Sequence, residues 1–173
     1  MKKIIQNFSY VLLANIISAI SKFILIIIIA KFLTIEELGK YTLSLAITAP
    51  IALLFNMKMR AYIVSSVNTN FLTFKKLRNI SNIMSVILVI IISLTLYRNV
   101  FWIMLLVLIL KILDMNGEFY QGWPNKEKLY KIPAKLMIIR VLITTILFIV
   151  IAYLTHSLFW SLYFQVIFQF LFL

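Results

Sequence analysis

The sequence predicts an all-α polytopic membrane helix bundle with about six transmembrane helices. Of its 173 residues, 64% are hydrophobic and 13% are charged, whereas a soluble domain is nearer half apolar. The apolar residues form runs of about 20, the length that crosses a hydrocarbon core of about 30 Å. The net charge is +12, but most cations stand in short loops between these runs. The charge therefore indicates orientation in a lipid bilayer, and no nucleic acid is expected as a partner.

Six apolar segments make up one predicted transmembrane lobe over residues 1–173. The first segment is expected to be retained, because its apolar character continues past any plausible signal-peptide cleavage site. The second could instead end near Met57 and continue as an interfacial stretch. The last stops on the apolar Leu173 without a polar flank, so we expect a chain truncated within its sixth helix. The predicted segments are 8–33, 41–66, 79–97, 100–121, 134–155 and 157–173.

Positive charges are distributed unequally between the two sides of the predicted membrane. With six spans, the even-numbered loops share the side of the N-terminus. The excess of cations on that side predicts a cytoplasmic N-terminus by the positive-inside rule. Nine cations lie on the N-terminal side: Lys2, Lys3, Lys75, Lys76, Arg78, Lys126, Lys128, Lys131 and Lys135. Three lie on the other side: Lys31, Lys40 and Arg98.

Two loops carry signals for helix ends. Thr34 as N-cap and Glu37 three residues later fit a capping box. The box predicts the start of the second helix, where acidic groups are stabilising at the positive end of the dipole. Gly122, Pro124 and Pro133 bracket the loop between the fourth and fifth spans, where a helix must stop and restart.

Polar residues recur on one face of four predicted spans. In the fourth span, Lys111, Asp114 and Glu118 fall within an arc of about 60°. Helices with one polar side and one lipid-facing side assemble around a polar interior. The other stripes are Asn15, Ser18 and Lys22 in the first span, Asn56 and Arg60 in the second, and Ser161, Gln165 and Gln169 in the sixth.

Five cations lie inside or at the edge of the apolar runs, where a charge costs about 2.5 kcal/mol or more. Lys22 and Lys111 lie near the midplane of their spans, where snorkelling to the headgroups is difficult, so we expect both to face a cavity. Lys58, Arg60 and Arg140 lie within about two turns of the predicted cytoplasmic boundary. These three could snorkel to the headgroups instead.

The carboxylates Asp114 and Glu118 are predicted to be structural counter-ions, and either of them could pair with Arg140, which lies at a similar depth on the next span. Five positive and two negative embedded charges leave an excess of +3. That excess favours an anion, and phosphate groups are the natural candidates because Lys and Arg bind them well. The expected substrate-binding residues are Lys22, Lys111, Arg60 and Arg140.

Catalytic chemistry has little support in the sequence. His156 is the single histidine and there is no cysteine, so neither a metal-ligand cluster nor thiol chemistry is indicated. Asp114 and Glu118 could form an acid–base pair, but the neighbouring cations would hold both ionised. We therefore expect neither an enzyme nor a cofactor. A membrane-embedded enzyme of polysaccharide assembly is the alternative, although it would usually need larger polar loops.

Three stretches resemble polysaccharide flippases. Ile29–Tyr41 is similar to their first outer loop, where a small residue and a cation precede an acidic pair, a glycine and an aromatic residue. Glu118–Gly122 and the pair Ile139-Arg140 are similar to the region of their fourth and fifth helices. The superfamily also includes multidrug and toxin exporters and the lipid II flippase. The chain departs from the pattern at 56–60, where relatives often have a glycine.

The resemblance implies a transporter of two six-helix lobes in the bacterial plasma membrane. It would turn a lipid-linked oligosaccharide from the inner to the outer leaflet by alternating access. The implied carrier is undecaprenyl pyrophosphate, whose anionic headgroup suits a cationic cavity while its tail stays in lipid. The implied partner is a C-terminal lobe, so the chain is expected to be a fragment or a truncated gene product. A small-solute or drug exporter of the same superfamily is the alternative.

Overall fold

The chain folds as an all-α bundle, which confirms the predicted fold class. The computed structural model describes residues 2–66 and 70–172, with side chains from residue 9 onward. The predicted end of the sixth span at Leu173 and the side chains of Lys2 and Lys3 lie outside the described residues. The helices are α1 (Lys2–Phe32), α2 (Ile35–Asn56), α3 (Met59–Ser65), α4 (Phe71–Leu96), α5 (Phe101–Lys126), α6 (Lys131–Thr155) and α7 (Leu158–Leu171), with a 3₁₀ turn at Arg98–Val100.

Helix length and composition make the chain a multi-pass membrane protein. Among the described residues, five segments are long and apolar enough to cross a bilayer, and α7 is a shorter apolar helix. The α2 and α3 helices together form one of these segments, Ile35–Ser65. Large apolar side chains remain exposed along the outside of the bundle, as lipid-facing residues do.

The second helix begins at Ile35, six residues before the predicted segment. Thr34 is its N-cap in extended conformation, and its Oγ1 accepts a 3.2 Å hydrogen bond from the Glu37 backbone N–H. This half of the capping box is confirmed. The Glu37 carboxylate does not complete the box, because its Oε1 instead accepts a 3.0 Å hydrogen bond from the backbone N–H of Leu158. One acidic residue therefore joins the start of α2 to the start of α7.

The same membrane segment is interrupted after Asn56, as the alternative boundary near Met57 predicts. Met57 and Lys58 adopt left-handed backbone conformations with φ of 50° and 45°. This conformation costs an L-residue roughly 1–2 kcal/mol, and glycine adopts it freely. Residues 56–60, where the polysaccharide flippases that the sequence resembles often have a glycine, contain none here. The backbone at Met57 and Lys58 adopts a conformation that would favour one. Ser81 Oγ of α4 donates to the Phe55 carbonyl and so supports the end of α2.

The loop between α5 and α6 is shorter than the predicted one. Gly122 and Pro124 lie inside α5, and Pro133 lies in the first turn of α6. Gly122 is buried because Ile63 of α3 packs against it, at 3.2 Å from where a Cβ would stand. Pro124 lies in the last turn of α5, so the helix continues for only two residues beyond it. The prediction that the helix stops at Gly122 was therefore wrong.

Helix packing leaves room between α1 and α5. The α1 helix packs along α6, which also packs along α7, whereas α5 contacts α2, α3, α4 and α7. The largest buried cluster joins five of these helices near the α1–α2 turn and includes Leu25, Ile29, Phe148, Leu158 and Leu162. Below this apolar cluster, toward the α5–α6 turn, the interior becomes polar.

Candidate functional site

A cavity of about 290 Å³ lies in the polar part of the bundle, bounded by α1, α2, α5, α6 and α7. Three of the predicted substrate-binding cations, Lys22, Lys111 and Arg140, line it together with Asp114. A second cavity of about 260 Å³ shares Ser18, Lys22, Asp114 and Arg140 with the first, so the two adjoin. Its further polar lining consists of Asn15, Glu118 and Gln121.

Asp114 is the centre of the charged groups in this cavity. Its Oδ1 lies 3.3 Å from Arg140 Nη2 and accepts a 2.7 Å hydrogen bond from Gln169 Nε2. Its Oδ2 lies 3.5 Å from Lys22 Nζ. Side chains from α1, α6 and α7 therefore converge on one carboxylate of α5.

The cations differ in how they are neutralised. Arg140 is 8% exposed, and the Lys22 side chain is 58% exposed. Lys111 lines the same cavity, but within residues 9–66 and 70–172 no ion pair or hydrogen bond of its ammonium group is found. The arrangement therefore offers one partly accessible cation and one unpaired cation to an incoming anion.

The Arg140 guanidinium lies against Gly117 of α5. A Cβ at position 117 would stand 2.5 Å from Arg140 Nη1, so any larger residue would force the guanidinium away. Gly117 is three residues from Asp114, and the two residues together position Arg140 at the boundary of the cavity.

Glu118 does not share the Asp114 cluster. Its Oε2 accepts a 3.3 Å hydrogen bond from Asn56 Nδ2, at the end of α2. The structure therefore brings Arg140 to Asp114 and assigns Glu118 to the helix break, although Glu118 also lines the second cavity.

The remaining predicted cations lie outside the main cavity. Arg60 is partly buried and lines a narrow crevice with Asn15 and Gln121, which also line the second cavity. Lys58 is exposed at the helix break. Of the four predicted binding residues, three thus share the main cavity, and Arg60 lines a separate crevice next to the second cavity.

Arg78 is a buried cation that the sequence reasoning placed in a loop. It is 2% exposed in α4, and its Nε donates a 2.9 Å hydrogen bond to Asn116 Oδ1. Asn82 Nδ2 donates to the same oxygen at 3.0 Å. The loop assignment was wrong because α4 begins at Phe71, so Arg78 falls in its third turn. The spacing of Arg78, Ser81 and Ser85, all buried, is the polar-face signal that could have identified it.

The fold and the cavity define a multi-pass membrane protein with a cationic interior. Over 163 residues the chain is 31% identical to the "Capsular polysaccharide biosynthesis protein CapF" of Staphylococcus aureus. The alignment covers 94% of this chain and 41% of that relative, so the chain spans about two fifths of the relative's length. No protein-family model and no solved structure matches the chain. The homology links the chain to polysaccharide biosynthesis.

Proposed function

We propose that the chain is a transporter lobe that helps flip an undecaprenyl-pyrophosphate-linked oligosaccharide across the bacterial cytoplasmic membrane by alternating access. The observation that carries the proposal is the cavity in which Lys22, Lys111 and Arg140 face one carboxylate, Asp114. Homology to a capsular polysaccharide biosynthesis protein supports polysaccharide as the class of cargo.

The charges of the cavity suit a pyrophosphate headgroup. Three cations against one carboxylate leave a positive balance in a site of low dielectric, where electrostatic attraction is strong. Arginine supplies paired N–H donors for phosphate oxygens, and lysine supplies a compact positive charge. The exposed apolar side chains around the bundle leave lipid next to the cavity, so the prenyl tail can stay in the bilayer while the headgroup enters.

Alternating access requires a second body against which this lobe moves. Transporters commonly place their site near the membrane midplane, between two related halves. We propose that a C-terminal lobe of the same transporter supplies the other half, because the aligned relative is more than twice as long as the matched region. The chain itself acts in transport rather than catalysis, and no cofactor is proposed.

Ligand binding to the purified chain tests the proposal. The full chain is incorporated in lipid nanodiscs and titrated with undecaprenyl pyrophosphate, with neutral undecaprenol as the matched lipid. We expect saturable binding of the pyrophosphate lipid, which Lys22→Gln combined with Lys111→Gln reduces at least about tenfold. Lys58→Gln removes the same charge from an exposed position and should leave binding unchanged.

Two results would overturn the proposal. Equal binding of undecaprenol and its pyrophosphate would show that the cavity does not select an anionic headgroup. Preferential binding of an organic cation such as ethidium would favour the small-solute exporter of the same superfamily.

A further inference from the structure

Asp114 contacts more groups than a simple ion pair requires. Arg140, Gln169 and Lys22 all lie within 3.5 Å of its two oxygens. Lys111 lines the same cavity one helical turn away on α5, and no ion pair of Lys111 is found among the described residues. A single carboxylate is therefore shared by two cations while a third stands free.

We infer that Asp114 is an internal competitor of the substrate, which must displace it from Lys22 and Arg140 in order to bind. The inference rests on the proposed function and names a residue that regulates the affinity of that site. The Asp114 oxygens hold the same two cations that a phosphate group entering the cavity would approach.

The burial of Arg140 explains why a built-in counter-ion is needed. A buried cation without a partner is strongly destabilising, and Arg140 is 8% exposed. Asp114 neutralises it while the cavity holds no substrate. An anionic substrate then exchanges one negative partner for another, so the gain from contacting Arg140 and Lys22 is largely offset.

Lys111 supplies an additional cationic contact that a pyrophosphate can make and Asp114 does not. A carboxylate has two oxygens, and those of Asp114 contact Lys22 and Arg140 but form no ion pair with Lys111. A pyrophosphate carries more oxygens and more charge, so it can contact all three cations together. A monophosphate has fewer contacts to offer and is expected to compete less well with Asp114.

This competition suits a transporter, since a site that carries a ligand through the membrane must also release it. When the pyrophosphate leaves, Asp114 forms its ion pairs with Lys22 and Arg140 again. These pairs lower the free energy that release requires. Removing the carboxylate should therefore tighten binding and slow transport. An ordinary structural role of Asp114 predicts the opposite change in binding.

The full chain in detergent micelles is titrated calorimetrically with inorganic pyrophosphate, and in vesicles with a polyprenyl pyrophosphate. Asp114→Asn keeps the size of the side chain and an oxygen for Gln169 but removes the charge. We expect its Kd for pyrophosphate to fall about tenfold or more. Glu127→Gln is the control, because it removes a carboxylate from an exposed position at the end of α5, outside the cavities; it should change the Kd less than about threefold.

A second measurement decides the outcome if Asp114→Asn folds poorly. Pyrophosphate should then replace the lost carboxylate, so it should raise the melting temperature of the Asp114→Asn variant more than that of the wild-type chain. The inference is overturned if pyrophosphate does not raise the melting temperature of Asp114→Asn more than that of the wild-type chain. It is also overturned if the Kd of Asp114→Asn for pyrophosphate is unchanged or higher. Tightening with the lipid probe alone also overturns it, because the effect would then act through the lipid tail.

The same titrations separate this inference from the proposed function. If the wild-type chain binds pyrophosphate through Lys22 and Lys111 but Asp114→Asn binds no more tightly, only the competitor role of Asp114 fails. If neither the wild-type chain nor Asp114→Asn binds either probe, the anion site and the proposed function fail together.

Discussion

Gly117 of α5 leaves the space that the guanidinium of Arg140 occupies. A Cβ at position 117 would stand 2.5 Å from Arg140 Nη1, closer than real Cβ contacts come, and 3.2 Å from its Cζ, tighter than most of them. Arg140 also lies 3.3 Å from Asp114, three residues before Gly117 on the same helix. Arg140, the most buried cation of the cavity, is therefore positioned by its ion pair with Asp114 and by the space that Gly117 leaves open.

Gly117→Ala should destabilise the chain and weaken binding of pyrophosphate. The added methyl group would push the guanidinium away from Asp114, and overpacking of this kind typically costs about 1–3 kcal/mol. Thermal unfolding in detergent measures the change in stability. Gly39→Ala is the matched control, because nothing lies within 4 Å of its added Cβ; it should be neutral or stabilising by up to about 1 kcal/mol. Equal effects of the two substitutions would contradict this account of Gly117.

Arg140→Ala should lower stable expression more than Arg140→Ala combined with Asp114→Ala. Removing Arg140 leaves Asp114 with Lys22 as a cation at 3.5 Å, so the single variant should lose less than the about 3–5 kcal/mol of a fully uncompensated buried charge, whereas removing both members of a pair is often far less costly. Protein levels and unfolding temperatures of single and double variants measure the difference. Arg140→Ala with Glu118→Ala is the control and should recover nothing, since Glu118 is bonded to Asn56. If Arg140→Ala combined with Glu118→Ala recovered expression and Arg140→Ala combined with Asp114→Ala did not, Arg140 would pair with Glu118.

Spacing along one helix was enough to predict which polar residues of α5 share a face. Lys111 lines the first cavity, Glu118 lines the second and Asp114 lines both, as the shared face requires. The same reasoning could not predict which partner each group has on another helix. That choice depends on how the helices pack, and it separates Asp114, which contacts Arg140, from Glu118, which contacts Asn56.

Loop boundaries are harder to predict from this sequence, because charged residues and glycine are typical of loops but also occur inside its helices. Arg78 is a buried residue of α4, whose Asn70 N-cap accepts a 3.0 Å hydrogen bond from the Leu72 N–H. Gly122 is a packing position against Ile63 rather than a helix end. Both residues act through contacts with other helices, and a single segment of sequence does not show such contacts.

Lys58→Gly should stabilise the chain by roughly 0.5–1 kcal/mol. Lys58 has a φ of 45°, and glycine removes the steric cost of this conformation, although it loses more entropy on folding. Lys75→Gly is the matched control: Lys75 is an exposed lysine within α4, where glycine should cost about 0.8–1 kcal/mol. Unfolding in a denaturing detergent compares the two variants. If both Lys58→Gly and Lys75→Gly lower the stability of the folded chain, the left-handed backbone at Lys58 is not a source of strain.

The predicted orientation can be tested directly, because the chain contains no cysteine. Single cysteines can be placed at Asn70, Asn99 and Glu127, which are exposed positions at three turns of the bundle. The positive-inside rule predicts that Asn70 and Glu127 lie in the cytoplasm and Asn99 outside. An impermeant thiol reagent should therefore label whole cells only at position 99, and permeabilised cells at all three positions. Labelling of intact cells at 70 or 127 but not at 99 would reverse the orientation, and would place the Arg60 side of the cavity at the outer face.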